Sequence, residues 1–183
     1  VQTTYYDPLI GSAIYKLFQP NTKVIYTESP GSHTFEIQDI PAIADAAHKK
    51  NIKVVMDNTW GAGYFFKPFE HGVDISVQAA TKYFVGHSDA MIGTISMSGE
   101  NIEPVVNSVQ ILGYNISPDD AYLALRGLRT LNVRLKRHET SALKIAKWLS
   151  NRPEIDRILH PALSSCPGHE IWQRDFSGSN GLF

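Results

Sequence analysis

Lys23-Val24-Ile25-Tyr26-Thr27-Glu28 and Ile52-Lys53-Val54-Val55-Met56-Asp57, with a helical stretch between them, form the passage that decides the fold. The first run is rich in β-branched and aromatic residues and is ended by the turn formers Ser29-Pro30-Gly31-Ser32, so it reads as a strand. Asp39 then stands where an N-cap belongs, with Pro41 in the first turn and Ile40, Ile43, Ala44 and Ala47 on one stripe. Lys49 and Lys50 follow with the sign that suits a helix C-terminus. The second apolar run ends at Asp57. Strand, helix and strand with short connections make the βαβ unit of a parallel sheet covered by helices.

Working outward, Asp74 to Ala79 and Met91 to Met97 are further strand candidates, separated by a glycine-bearing polar turn between Tyr83 and Ala90. After Ile102 the pattern becomes helical through Val105, Val106, Val109 and Leu112. Ser117 or Asp119, with Pro118, starts a long helical region that runs through Leu125, Leu128, Leu131 and Leu135 to Leu149, with a break expected near Gly127. Pro153 stops it, and Ile155 to Leu159 reads as the opening of a second, smaller α/β unit. The expected division is therefore 1–150 for a large domain and 151–183 for the start of a small C-terminal one. Val1 is not a methionine and Gly181-Leu182-Phe183 resembles the first residues of an apolar strand, so the expectation is an internal piece of a longer protein.

Composition narrows the class. Of the 183 residues 43% are hydrophobic and 19% charged, the mix of a globular chain rather than a disordered one. The formal net charge of -1 supplies no basic field for nucleic acid. No run approaches the roughly 20 apolar residues of a membrane helix, and the N-terminus lacks the charged lead and apolar stretch of a signal peptide. Cys166 is the single cysteine and can form neither an internal disulfide nor a zinc cluster, which suits a reducing cytoplasm. The seven histidines are dispersed, with no pair at zinc-helix spacing, and no metal site is expected.

In doubly wound sheets ligands collect outside the carboxyl ends of the strands. Those ends carry Ser29-Pro30, Asp57-Asn58-Thr59 and Thr81-Lys82. A carboxylate and a lysine delivered to one rim suit chemistry in which an amine traps a carbonyl group. By spacing alone, Asp57 reads more readily as a turn or cap residue and Lys82 as a solvated charge. His87-Ser88-Asp89 contains the residue types of a hydrolase triad, but adjacent side chains point apart, and a polar turn accounts for them better. Neither a Gly-x-Ser-x-Gly elbow nor a phosphate loop ending in Gly-Lys-Ser/Thr is present. Cys166, beside Pro167-Gly168, reads as a loop residue. Arg126, Arg129 and Arg134 read as decoration of a helix, and Trp60, Phe65, Phe66 and Phe84 as packing residues.

The whole segment Val77-Gln78-Ala79-Ala80-Thr81-Lys82-Tyr83-Phe84-Val85-Gly86-His87-Ser88-Asp89 resembles the lysine segment of the Cys/Met-metabolism pyridoxal-phosphate (PLP) enzymes. Val54-Val55-Met56-Asp57-Asn58-Thr59-Trp60 resembles their aspartate segment, at the family's separation from the lysine. Glu28-Ser29-Pro30-Gly31, Arg126-Gly127-Leu128-Arg129-Thr130-Leu131 and His160-Pro161 add matches in the same order from end to end. Trp60 and Gln78-Ala79-Ala80 are most similar to the bacterial cystathionine β-lyases of that family.

The resemblance implies an α/β fold of the aspartate-aminotransferase type, with a mainly parallel sheet between helices and PLP bound in 1–150. It also implies that Lys82 is the Schiff-base lysine and the base for the substrate Cα proton, that Asp57 faces the pyridine nitrogen, and that Thr81 binds the cofactor phosphate. Ala79 stands where many relatives have a serine phosphate ligand, and Ser32 where many have an asparagine near the substrate. The implied reaction is β-elimination from cystathionine by a homotetramer, with a small sulfur amino acid as substrate. A γ-acting relative is the nearest competitor, and a non-catalytic piece of such an enzyme is the alternative from another class. The family's ring-stacking tyrosine is expected before Val1 and its carboxylate-binding arginine after Phe183.

Overall fold

The computed structural model describes all residues, 1–183. Its centre is a four-stranded sheet of β1 (Val24–Glu28), β2 (Lys53–Asp57), β3 (Ile75–Ala79) and β4 (Gly93–Met97), in that spatial order. β1 pairs with β2 and β2 with β3 in parallel, whereas β4 runs antiparallel to β3. The mainly parallel sheet expected from the βαβ pattern is thus present, with an antiparallel edge strand that connection length alone could not announce. The helices are α1 (Ile40–His48), α2 (Ile102–Ile111), α3 (Pro118–Leu128), α4 (Leu131–Leu149) and α5 (His169–Asp175). A 3-10 turn at Gly11–Leu17 precedes the sheet and packs on α1.

Strand alternation gives the sheet two unlike faces. Ile25, Val54 and Met56 point to one side, where they form a core with Ile40, Ile43, Ala44 and Ala47 of α1 and with Trp60, Phe65 and Phe66 beyond β2. Val24, Tyr26, Glu28, Val55, Asp57, Val77 and Ile95 share the opposite side by register. Val24, Tyr26 and Ile95 are exposed there. α2 has no buried residue, and α3 buries only Gly127. No helix is long and apolar enough to cross a membrane.

The expected long helical region is divided at Arg129-Thr130 into α3 and α4. From the last part of the chain, Phe176 joins the main core, with Leu159 and Trp172 packed against it. Ile155–Leu159 forms no strand, and neither does Gly181–Phe183. Phe176 meets Phe66 at 4.7 Å and Trp60 at 5.7 Å between ring centroids. The Trp60 indole N–H donates to the Leu182 carbonyl at 3.1 Å, and the Asn180 amide donates to the Trp60 carbonyl.

The N-terminus of α1 is fastened to α5. The Asp39 carboxylate accepts the Ala42 N–H at 3.2 Å as an N-cap, and it also accepts from the Arg174 guanidinium at 2.8 Å. The hydrogen bond from Arg174 holds the Asp39 carboxyl below the usual carboxylate range, against the opposing effect of burial. A lowered carboxyl stabilises the fold above its unfolded pKa and loses that contribution as pH falls through its folded pKa. Asp39→Asn keeps the cap and removes the charge, so its stability deficit should be present at neutral pH and vanish below the ordinary aspartate range. Asp39→Ala should cost a further ~1 kcal/mol for the lost cap at both pH values. Urea unfolding of the intact protein at pH 7 and pH 3 measures both, and a pH-independent Asp39→Asn deficit would refute the ion-pair assignment.

Candidate active site

Parallel register carries β1, β2 and β3 to a common edge. Glu28 lies beside Asp57, and Asp57 beside Val77. Asp57 ends β2 on the uncovered face of the sheet, half-buried. Its Oδ1 accepts the Thr59 N–H at 2.8 Å, the Asx-turn that ends a strand without further sheet pairing. The turn is tied sideways to β3, because Asn58 N–H donates to the Val77 carbonyl at 2.9 Å and Ala79 N–H donates to the Thr59 hydroxyl at 2.8 Å. Asp57 and the end of β3 are therefore held as one piece of backbone.

Lys82 follows β3 by one tight turn. Its N–H donates to the Ala79 carbonyl at 3.0 Å, Val85 N–H donates to Ala80 at 2.9 Å, and Gly86 N–H donates to the Lys82 carbonyl at 2.8 Å. The side chain is exposed at the rim, and no carboxylate comes within ion-pairing distance of Nζ. Glu28 registers the local field. Burial and the Asp57 charge raise its pKa, while the positive charges of Lys82 and His33 oppose the rise. Tyr26 is raised by burial and then by Asp57 and Glu28. The rim thus puts the Glu28 carboxylate in the field of both Asp57 and the Lys82 ammonium, and none of the three is locked into an ion pair.

Thr81 has its hydroxyl engaged. It accepts the Ile92 N–H at 2.7 Å and donates to the Ile92 carbonyl at 3.2 Å, which joins the start of the lysine turn to the entry of β4. Ala79, at the end of β3, offers no hydroxyl. Lys82, Asp57 and Thr81 all lie on the strand-end rim, with Thr81 facing Ile92.

Several residues around this rim carry no local signal in the sequence. Tyr83, next to Lys82, packs into the main core and lies 5.9 Å from His138, ring to ring. Burial pushes its hydroxyl up to about 12, with a hydrogen bond to the Gly181 backbone working against the rise. Glu139 of α4 accepts the Ser179 N–H at 2.8 Å and so holds the segment that carries Asn180 and Gly181. Arg126 pairs with Asp89 at 3.1 Å across the lysine loop. Arg134 does not decorate the helix surface as its spacing suggested: Nη2 donates to the Gly127 carbonyl at 2.8 Å, beneath the lysine turn. Only the tertiary fold brings these groups together. Their sequence signal was limited to the order of motifs in the Arg126–Leu131 stretch.

Other candidates fall away on geometry. Cys166 is buried, and burial pushes its thiol up, away from the thiolate that nucleophilic chemistry needs. Burial lowers the His160 pKa; its Nδ1 accepts the Ala162 N–H at 3.1 Å, and its buried Nε2 bonds to nothing. No group of His, Cys, Asp and Glu side chains converges in a way that could hold a metal ion. A pocket of about 390 Å³ opens between Tyr64, Lys67, Gln78 and Phe84 on the packed face of the sheet. Asp57 occupies the other face.

With this geometry in place, comparison with known proteins is decisive for the family. The family model described as "Cys/Met metabolism PLP-dependent enzyme" matches residues 1–183. The chain is 54% identical over 185 aligned positions to the cystathionine beta-lyase of Haemophilus influenzae, covering 100% of this chain and 47% of that protein. It is 50% identical to cystathionine beta-lyase MetC of Escherichia coli, with the same coverages. Among solved structures, metB from Corynebacterium glutamicum superposes with a TM-score of 0.93 at 35% identity, over 97% of this chain and 46% of that one. The chain spans about half the length of the curated relatives it matches. Matched from first residue to last, in sequence and in fold, the chain belongs to the Cys/Met-metabolism PLP-dependent enzymes, whose cofactor is pyridoxal 5'-phosphate.

Proposed function

We propose that the intact protein is a carbon–sulfur lyase that cleaves cystathionine, with water, to homocysteine, pyruvate and ammonia. The observation that carries the proposal is the rim itself: a lysine amine and a strand-end carboxylate share it, and no ion pair commits either. That donor set fits the cofactor. An amine free of carboxylate partners can hold an aldehyde, and the free Oδ2 of Asp57 can take an N–H from a protonated ring nitrogen. When bound, PLP supplies the electron sink that makes a Cα proton removable.

The side chains do the rest. Lys82 would hold the cofactor covalently, and its amine, once released, would take the proton from the substrate Cα. The Cβ–S bond then breaks, and the sulfur leaves as the thiol of homocysteine. Asp57 holds the proton on the ring nitrogen by charge, and the Asx-turn through Oδ1 keeps the carboxylate aimed outward. Thr81 can donate to the phosphate by turning its O–H from the Ile92 carbonyl, the longer of its two hydrogen bonds, while still accepting the Ile92 N–H. Ala79 supplies no hydroxyl to the phosphate, so more of that contact falls to Thr81. The substrate is a small sulfur amino acid, and the protein works in the cytoplasm as a homotetramer. The exposed apolar side chains of α2 and α3, such as Ile111, Tyr122 and Leu125, support burial against further protein surface.

The intact protein with PLP should show a visible absorption band that Lys82→Ala abolishes, together with a loss of turnover of roughly 10²–10⁴-fold, the range for a missing general base. Borohydride reduction and peptide mapping should put the cofactor on Lys82; modification of a different lysine rejects the assignment. Asp57→Ala should weaken cofactor retention and lower turnover by at least about tenfold, the effect of removing one charge-assisted hydrogen bond of about 1.4 kcal/mol or more, with little change in unfolding midpoint. Normal turnover in a folded Asp57→Ala protein removes its electrostatic role. Product analysis separates the β from the γ reaction: pyruvate from cystathionine supports the proposal, and 2-oxobutyrate replaces it with a γ-lyase.

A further inference from the structure

The turn that carries Lys82 is gripped from outside. Gly127, in the last turn of α3, lies so close to the carbonyl groups of Phe84 and Val85 that a Cβ there would overlap the Phe84 oxygen. On the same turn Gly86, at φ +75°, leaves room for the guanidinium of Arg134, which a side chain at Gly86 would displace. Arg134 Nη2 donates to the Gly127 carbonyl at 2.8 Å and reaches the Phe84 carbonyl at 3.5 Å. Its Nε donates to the Thr130 hydroxyl at 3.0 Å, and that hydroxyl donates to the same Gly127 carbonyl at 3.1 Å. One guanidinium therefore ties the C-terminal end of α3, the start of α4 and the far side of the lysine turn.

The arrangement costs stability. Nη1 of Arg134 is buried with no hydrogen-bond partner, and burial holds the guanidinium below its ordinary pKa. A helix end needs far less than a desolvated arginine to satisfy one carbonyl, since water or a lysine would serve. What a rigid planar fork adds is fixed geometry between separate segments.

Resting on the reading of Lys82 given above, we propose that Arg134 is a positioning residue: wedged between the end of α3 and Gly86, it holds the turn Ala79–Gly86 and so aims Lys82 Nζ. The backbone ring formed by Lys82, Val85 and Gly86 makes the turn move as a unit, so a displacement at Gly86 is passed to Lys82. A misplacement on the order of 1 Å is enough to slow a bond-forming step by up to ~100-fold.

The test reads the lysine directly, without turnover. Intact protein stripped of cofactor is mixed with PLP, so that the Lys82 amine adds to the aldehyde carbon with loss of one water. Borohydride then delivers hydride to the carbon–nitrogen double bond, and labelled peptides are quantified against time, with exposed Lys16 and Lys136 as internal controls. Arg134→Met should slow capture at Lys82 by about tenfold, leaving the control lysines unchanged. Arg134→Lys, which keeps charge and stem but not the fork, should show the same defect in milder form and carries the decision if Arg134→Met does not fold. Capture at Lys82 in the deciding variant slowed by less than about threefold overturns the proposal. Label on a lysine other than Lys82 in the unmutated protein would instead remove the reading of the site itself.

Discussion

Everything chemical in this chain depends on the in-register parallel pairing of β1, β2 and β3. Because Glu28 sits beside Asp57 and Asp57 beside Val77, two carboxylates reach the same edge on the same face of the sheet, one strand spacing apart. A slip of one residue in β2 would turn Asp57 into the core and bring a hydrophobic side chain out. Val54 and Met56 on the buried side make that slip expensive, since each is fully removed from water. Hydrophobic burial on one face thus fixes the position of a charged group on the other.

The same pairing sets the electrostatics. Burial and then the neighbouring Asp57 charge raise the Glu28 carboxyl, and a facing cation opposes that rise. Lys82 provides one from the next strand end. Because none of these groups forms a direct pair, the rim keeps unspent charge of both signs, which a structural ion-pair network would have consumed. The His48–Asp74–Lys53 cluster at the opposite end of β2 and β3 makes the contrast: there Asp74 accepts from His48 at 3.0 Å and from the Val54 N–H at 2.7 Å, and its charge is used up in holding the fold.

Strands, the first helix and the residue types at the strand ends were legible because they are local. Asp39 does cap α1, and the runs ending at Glu28, Asp57 and Ala79 do end there. The antiparallel direction of β4 was not legible, since the stretch from Ala80 to Ile92 is long enough for either direction. The break expected near Gly127 falls just after it, at Arg129-Thr130, but what Gly127 itself does was not legible: its missing side chain matters for a contact with Phe84, more than 40 residues earlier. Ile155 to Leu159 is an irregular link in the fold, leading to His160, whose burial and ring contact with Phe183 no local pattern encodes. For Asp57, Lys82 and Thr81, what could be read was residue type and place at a strand end; their roles came from resemblance, and Thr81's engagement with Ile92 came only from the fold.

This division follows from how an α/β domain is built. Reactive side chains sit at strand ends, where the backbone is already held by the sheet and the side chain is free to face a ligand. The groups that restrain those ends must approach from elsewhere, because a turn has too few residues to brace itself. Here the bracing comes from two later segments: Gly127, Thr130 and Arg134 press on one side of the lysine turn, while Glu139, through Ser179, holds the segment whose Asn180 and Gly181 meet Trp60 and Tyr83. Each brace joins positions far apart in sequence, so each adds loop-closure entropy to the cost of folding. That cost is accepted where orientation matters most, around the residues that follow Asp57 and Lys82, and it is absent from α2, which buries none of its side chains.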